Sequence, residues 1–417
     1  MLEKMKNAWR IPELRKKITY TLVMLLVYRL LCVVPVPGMN IEAVGAALSQ
    51  FSILEFMNMM TGGSFSQMTI MAMGITPYIN ASIIMQLLTV AIPQLEKLSK
   101  EGPEGRKKIQ EWSRYLTVVL AFIQVVGLVF AMRATSKGGL WYVVIGLSMA
   151  AGTALAMWIG ERITENGIGN GISLLIMSGV VNNLFNWCRS AIAGMFTGTL
   201  AGLQILGVIL TVACFLAMII AITYVDMGER RVPVQYAKRM VGRKMYGGQS
   251  THIPMKLNST GVMPLIFGYA ILQFPATVFA FFPASGINQW WMGFQSGIWY
   301  QFVLALLIIA FTYFYTSITF NPIDISKNMQ QNGGIIPGIR QGRATSDYLA
   351  KVSSRLTLFS ALFLAVLATI PTMLTQLFGV TTPFAASSLL IAVSVGIETL
   401  RQIEAQMVMR HHKGFLG

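Results

Sequence analysis

The side chains on which hydrolytic, redox or metal chemistry would have to be built are few and poorly spaced for it. Cys32, Cys188 and Cys214 are scattered and lack CxxC spacing, which indicates neither a disulfide framework nor a metal site; they read as small apolar fillers. No GxxxxGK[ST], HExxH or GxSxG run occurs. Gly167-Ile-Gly-Asn-Gly171 resembles a phosphate loop only superficially, since it lacks GxGxxG spacing and follows no strand; it reads as a tight turn before a helix. Glu398 is the clearest carboxylate inside an apolar stretch. Ion-coupled carriers commonly place ionisable groups near the bilayer midplane, so this scarcity weakens a carrier reading. The residues therefore point to no catalytic group, no metal site and no cofactor.

What the chain has in quantity is apolar helix. It is 54% hydrophobic and 12% charged over 417 residues, with a mean hydropathy of +0.61, too apolar for a soluble globule. Ten stretches are long enough to cross a hydrocarbon layer of ~30 Å at ~1.5 Å per residue. They centre near residues 26, 84, 123, 150, 180, 214, 271, 310, 366 and 394.

The basic residues orient these spans. Of 32 Lys and Arg, 28 fall in alternate gaps: before the first span, at 93–114, 160–171, 226–258 and 321–355, and in the tail. The opposite gaps hold only Arg133, Lys137 and Arg189, while Arg29 lies inside the first span. The positive-inside rule then places both termini in the cytoplasm. His252, His411 and His412 all fall in these cytoplasmic segments. The same rule accounts for the net charge of +16; contact with RNA or an acidic partner would be an addition to it. The first span runs into Pro35-Val36-Pro37 without a small-residue cleavage site, so it does not read as a cleaved signal peptide.

Two features suggest internal organisation. A shift of 187 residues lays Gly74, Pro77, Ile79, Ile84 and Gln86 on Gly261, Pro264, Ile266, Ile271 and Gln273, as in a repeat, although two apolar helices can match by chance. Five spans per half would give inverted halves, 18–188 and 189–404, between a cytoplasmic N-terminal segment 1–17 and a tail 405–417. The second feature lies after span one. Asn58-Met-Met-Thr-Gly-Gly-Ser-Phe-Ser-Gln-Met is short, glycine-broken and moderately apolar. Such backbone tolerates membrane depth only when buried in protein or lining a cavity. It is either a movable re-entrant stopper or an outer loop folded over the bundle.

The two longest cytoplasmic loops look like docking surfaces. In 226–258, Arg230-Arg-Val-Pro-Val-Gln-Tyr-Ala-Lys-Arg239 alternates apolar and polar residues and is followed by glycine turns, which predicts a basic hairpin. In 321–355, Gly333-Gly-Ile-Ile-Pro-Gly-Ile-Arg340-Gln-Gly342 would present Arg340 at an exposed tip. Within the spans, Ile79 and Ile83, and again Ile172 and Ile176, stand four apart on one helix face. Isoleucine is ordinary in membrane helices, so spacing alone reveals no pore.

Four runs carry a resemblance over essentially the whole chain. Thr76-Pro-Tyr-Ile-Asn-Ala-Ser-Ile-Ile-Met-Gln-Leu-Leu88, Glu161-Arg-Ile-Thr-Glu-Asn-Gly-Ile-Gly-Asn-Gly-Ile-Ser173, Tyr236-Ala-Lys-Arg239 with Gln249-Ser-Thr-His-Ile-Pro254, and Pro337-Gly-Ile-Arg340 resemble signature segments of the SecY/Sec61-alpha family of protein-conducting channels. The resemblance implies an all-α polytopic membrane protein, with ten transmembrane helices in two pseudo-symmetric inverted halves around an hourglass pore. It implies a ring of Ile79, Ile83, Ile172, Ile176, Ile266 and Ile391 at the waist. It further implies a plug over about 58–71, with Asn58, Met59, Met60, Thr61, Gly62, Gly63, Ser64 and Phe65 at its head. A lateral gate would carry Gln86, Thr89, Gln124 and Gln273. Docking of the SecA ATPase or the ribosome would fall to Arg340, supported by Lys238, Arg239, Arg243, Lys244 and Lys256. The implied partners are SecE, SecG and a preprotein with its signal peptide, in the lipid bilayer of a bacterial plasma membrane.

A hydrophobic constriction suits such cargo, because it can exclude ions by dewetting when vacant and forms no hydrogen bond with any particular residue. Two other classes make different demands. A secondary transporter predicts a polar midplane site and saturable uptake of one solute, and a multi-span enzyme needs a catalytic constellation absent from this sequence.

Overall fold

Glycine and proline set where many of the elements begin. The computed structural model describes residues 9, 11–39, 44, 58, 61–131, 139–196, 202–236, 239–241, 244–246, 250–280, 286–295, 297–378 and 386–413. The helices are α1 (Pro12–Leu31), α2 (Thr76–Ala91), α3 (Pro93–Lys100), α4 (Pro103–Ala131), α5 (Gly139–Asn166), α6 (Gly171–Phe196), α7 (Gly202–Met227), α8 (Met263–Ala280), α9 (Gly286–Gln295), α10 (Ile298–Thr319), α11 (Pro322–Gln331), α12 (Arg343–Phe378) and α13 (Ala386–Lys413). The strands are β1 (Glu229–Tyr236), β2 (Arg239–Val241), β3 (Lys244–Tyr246), β4 (Ser250–Lys256) and β5 (Gly334–Ile335).

Each of the ten expected span centres falls in a helix: α1, α2, α4, α5, α6, α7, α8, α10, α12 and α13. Among the described residues six of these, α4, α5, α6, α7, α10 and α12, contain segments long and apolar enough by themselves to cross a membrane. Three of the others, α1, α13 and α2, are charged or short. The first turns of α1 carry Arg15, Lys16 and Lys17, and α13 carries Glu398, Arg401 and Glu404. With 16 residues, α2 covers only about 24 Å at the helical rise before α3 turns away from it. In α3, Lys100 bonds Glu96 at 2.6 Å, which holds that carboxyl below its ordinary pKa.

The suggested repeat has a structural counterpart. The first residues of α2 and α8, Thr76 and Met263, are related by the same 187-residue shift as the matched identities. Two residues before each start stands a glycine in the left-handed region, Gly74 at φ 51° and Gly261 at φ 61°. A side chain there would be strained, and Pro77 and Pro264 then enter the first helical turn, where a missing N–H costs nothing.

The chain forms two compact units. The first comprises 1–209, 273–291 and 378–417. In it α4 packs on α5, α2 on α4, α6 on α5, and α13, last in sequence, on α6. One of its cores gathers Val36, Phe65, Met68, Met73, Val125, Val129, Ile145 and Met149. Gly152 lets α5 approach so closely that a methyl group there would collide with the Ile70 carbonyl.

The second unit comprises 210–272 and 292–377. Here α8 meets α10 through Phe267 stacked on Phe311 at 5.3 Å and through Gly268 beside Ile308. Its polar end is a three-stranded sheet of order β4-β1-β5. In the β1–β4 ladder Glu229 faces Lys256 and Val232 faces Ile253; on the other edge Tyr236 faces Gly334. Val232 and Val234 turn inward, while Arg231 and Gln235 turn out, the alternation expected of a half-buried strand.

Candidate functional site

The six isoleucines begin the site. Ile83, Ile176 and Ile391 are buried, and Ile79, Ile172 and Ile266 are half-buried. Their helices expose other large apolar residues, Ile84 and Leu87 on α2, Val181 and Phe185 on α6, and Ile271 on α8. Ile83 and Ile176 therefore occupy the protein-facing sides of α2 and α6, whereas Ile79, Ile172 and Ile266 are only partly covered. Ile172 is partly committed to α5, since its Cγ1 lies 3.0 Å from where a Cβ on Gly160 would stand. Packing of α13 on α6 joins the helix of Ile391 to that of Ile172 and Ile176; Ile266 belongs to the second unit.

The turn at Gly167–Gly171 fixes the start of α6. The Ile168 N–H donates to Thr21 Oγ1 at 3.1 Å, the Gly169 N–H to Gln402 Oε1 at 2.9 Å and the Gly171 N–H to Thr164 Oγ1 at 2.9 Å. Asn170 Oδ1 accepts from Ile172 and Ser173. These donors, which a phosphate loop would offer to a ligand, are taken up by α1, α5, α13 and the helix's own cap. The expected tight turn is present.

The glycine-broken segment after α1 is a chain of turns over 61–75, with no long helix among its described residues. Asn58 Oδ1 accepts from the Ser66 N–H at 2.9 Å, and Ser66 Oγ donates to the Gly63 carbonyl at 2.7 Å. Gly62 and Gly63 adopt φ 71° and 89°. A single β-bridge ties Thr69 to Pro35. The apolar side, Phe65, Met68 and Met73, is buried against α4 and α5. On the polar side, Asn182 Nδ2 donates to the Gly62 carbonyl at 2.7 Å, and Arg29 donates to the Ser178 carbonyl. Thr61 and Ser64 are buried; Met59 and Met60 lie outside the described residues.

Of the lateral-gate residues, Gln86 and Gln124 are half-buried on α2 and α4. The Thr89 hydroxyl donates to the Met85 carbonyl of its own helix at 2.7 Å, so only its acceptor capacity remains for a neighbour. The Gln273 side chain lies outside the described residues.

The two cytoplasmic loops expected to dock a partner form more than a single hairpin, since β5 joins β1 and β4 in one sheet. Arg340 is exposed on a turn between Gly338 and Gly342, at φ 81° and 89°, and its carbonyl accepts from Thr345 Oγ1 at 2.8 Å. Lys256 is exposed at the end of β4. Arg239 and Lys244 belong to the paired strands β2 and β3, with side chains outside the described residues, as are Lys238 and Arg243 entirely. Val232, Val234, Met255, Met329, Ile336 and Leu349 form one core beneath both loops. Nothing in the sequence joins the two loops, because the two-residue β5 is too short to signal itself. Arg29 was visible as the cation inside span one, whereas nothing marked Asn182 as a partner of Gly62.

No group of three His, Cys, Asp or Glu among the described residues could hold a metal ion. The SecY family model matches residues 69–400. The chain belongs to the SecY family. It is 42% identical to the protein translocase subunit SecY of Streptomyces galbus, covering 100% of both chains. Against the protein translocase subunit SecY of Thermotoga maritima it is 39% identical, covering 100% of this chain and 98% of that one. Among solved structures, a protein-conducting channel superposes with a TM-score of 0.70 at 20% identity, over 94% of this chain and 93% of that one. A SecY protein whose plug domain is described as stabilising the closed channel superposes with a TM-score of 0.69, again at 20% identity, over 94% and 92%. The all-α multi-pass membrane fold of the SecY family is thus the fold of this chain.

Proposed function

We propose that this chain is the central channel of a Sec translocon, moving unfolded, signal-bearing preproteins across a bacterial plasma membrane and releasing membrane segments sideways into the bilayer. The observation that carries the reading is similarity to translocase SecY subunits over the full length of both chains. SecE and SecG are its membrane partners, and the SecA ATPase or the translating ribosome supplies the driving force. The chain itself catalyses no covalent reaction. Both termini face the cytoplasm, in keeping with the distribution of basic residues.

In this reading residues 18–188 and 189–404 are two inverted halves, and the matched entries to α2 and α8 support the pairing. Ile79, Ile83, Ile172, Ile176, Ile266 and Ile391 form the ring that closes around cargo; the burial of Ile83, Ile176 and Ile391 supports the role. Residues 58–71 form the plug. Gln86, Thr89, Gln124 and Gln273 line the seam of the lateral gate, where interhelical hydrogen bonds of about 0.6 kcal/mol are weak enough to open. Arg340, with Lys238, Arg239, Arg243, Lys244 and Lys256, receives the motor or ribosomal phosphates.

Reconstitution with SecE, SecG, SecA and a preprotein, followed by protease protection, tests the function. Protected preprotein is the expected result. Ile83→Asn and Ile391→Asn should make the resting channel leak ions and accept weaker signal sequences. Unchanged conductance and cargo selection in both variants would remove the ring assignment.

A further inference from the structure

An arginine within a membrane span is costly unless it has a task, and among the described residues no carboxylate forms an ion pair with Arg29. It borders a cavity of about 340 Å³ among α1, α6 and the glycine-broken segment, whose lining includes Ser64, Ser66, Asn182 and Asn186 and no acidic residue. The guanidinium donates to the Ser178 carbonyl of α6. It also stands against Gly62, where an added Cβ would lie 3.0 Å from Arg29 Nη1 and 2.9 Å from the Gly179 Cα. Asn182, one turn beyond Ser178, donates to the Gly62 carbonyl at 2.7 Å. The backbone of Gly62 is therefore wedged between α6 and the guanidinium, and its carbonyl is bonded from α6.

We propose that Arg29 and Asn182 are positioning residues that latch the resting plug by gripping the backbone at Gly62, and so set how readily it leaves. The inference rests on the reading of residues 58–71 as the plug. Phe65 and Met68 bury the opposite side of the segment and give it a resting seat, whereas the latch bonds face a polar cavity in which water can replace them. Asn182 bonds the Gly62 carbonyl, while Arg29, itself bonded to the Ser178 carbonyl of α6, walls the space beside Gly62, so the grip depends on one donor and on shape more than on the plug's side chains.

The test measures resting ion conductance of the chain reconstituted with SecE and SecG, in the intact protein and in one lacking residues 61–67. In the intact protein Asn182→Ala should raise the leak about threefold, the loss of one neutral hydrogen bond, and Arg29→Gln, which frees the Ser178 carbonyl and opens the space beside Gly62, by at least as much. Arg29→Lys, which keeps the charge and one donor, should restore part of the seal. Neither substitution should add to the leak once the segment is deleted. A rise of equal size in both backgrounds, or no rise in the intact protein, would overturn the latch while leaving the plug in place. If the deletion itself leaves conductance unchanged, the plug reading fails and the latch with it.

Discussion

The glycine-broken segment after α1 and the cytoplasmic sheet are both irregular, glycine-punctuated backbone attached to a helical bundle, but they are held in opposite ways. The sheet carries seven registered residue pairs between β1 and β4 and closes over an apolar core supplied by α11, α12 and both loops. The segment has a single β-bridge, several turn bonds, one apolar side in contact with α4 and α5, and one side facing a polar cavity. If the sheet presents charges to a partner and the segment leaves its place, as proposed, then the first is made rigid by burial and the second is held by bonds water can take over. The difference is testable by substitutions that strike one region and spare the other.

The largest effect should come from Leu349→Ala, because Leu349 is fully buried beneath the sheet. Loss of its side chain should cost about 2–5 kcal/mol, read as faster proteolysis of 229–256 and 320–356 with the membrane helices still protected. Gly152→Leu should come next. It forces a side chain into the Ile70 backbone and should cost about 1–3 kcal/mol, read as increased resting conductance with unchanged proteolysis of the loops. Smallest for the fold is Arg340→Glu, an exposed change within about 0.5 kcal/mol. It should nevertheless lower affinity for the motor about tenfold at low salt and less at high salt, measured by binding to reconstituted channels. Equal proteolysis of the loops in the Gly152 and Leu349 variants would erase the distinction between the regions.

How far these regions could be read from residues alone follows from the range of the forces involved. The ten helix positions were legible because hydrophobic length and cationic flanks are local properties of the chain. So was the tip at Arg340, since Gly338 and Gly342 declare the turn themselves. The entries to α2 and α8 were legible as matched Gly and Pro, and the structure adds that both glycines are left-handed. The donors to the Gly167–Gly171 turn come from Thr21 and Gln402, far away in sequence, and no local pattern names them. The bond from Asn182 to Gly62 is hidden in the same way. Likewise β5, two residues long, exists only because β1 offers an edge.

That small strand has a mechanical consequence. It rivets the Arg340 tip to β1, and β1 follows the last turn of α7 through Gly228, whose carbonyl accepts from the Leu257 N–H at 3.0 Å just past β4. A thrust delivered at one loop is thereby shared among α7, the approach to α8 and the base of α12 instead of being absorbed by a floppy tether. A machine that docked there, as proposed, would hold a stiff handle on these helices.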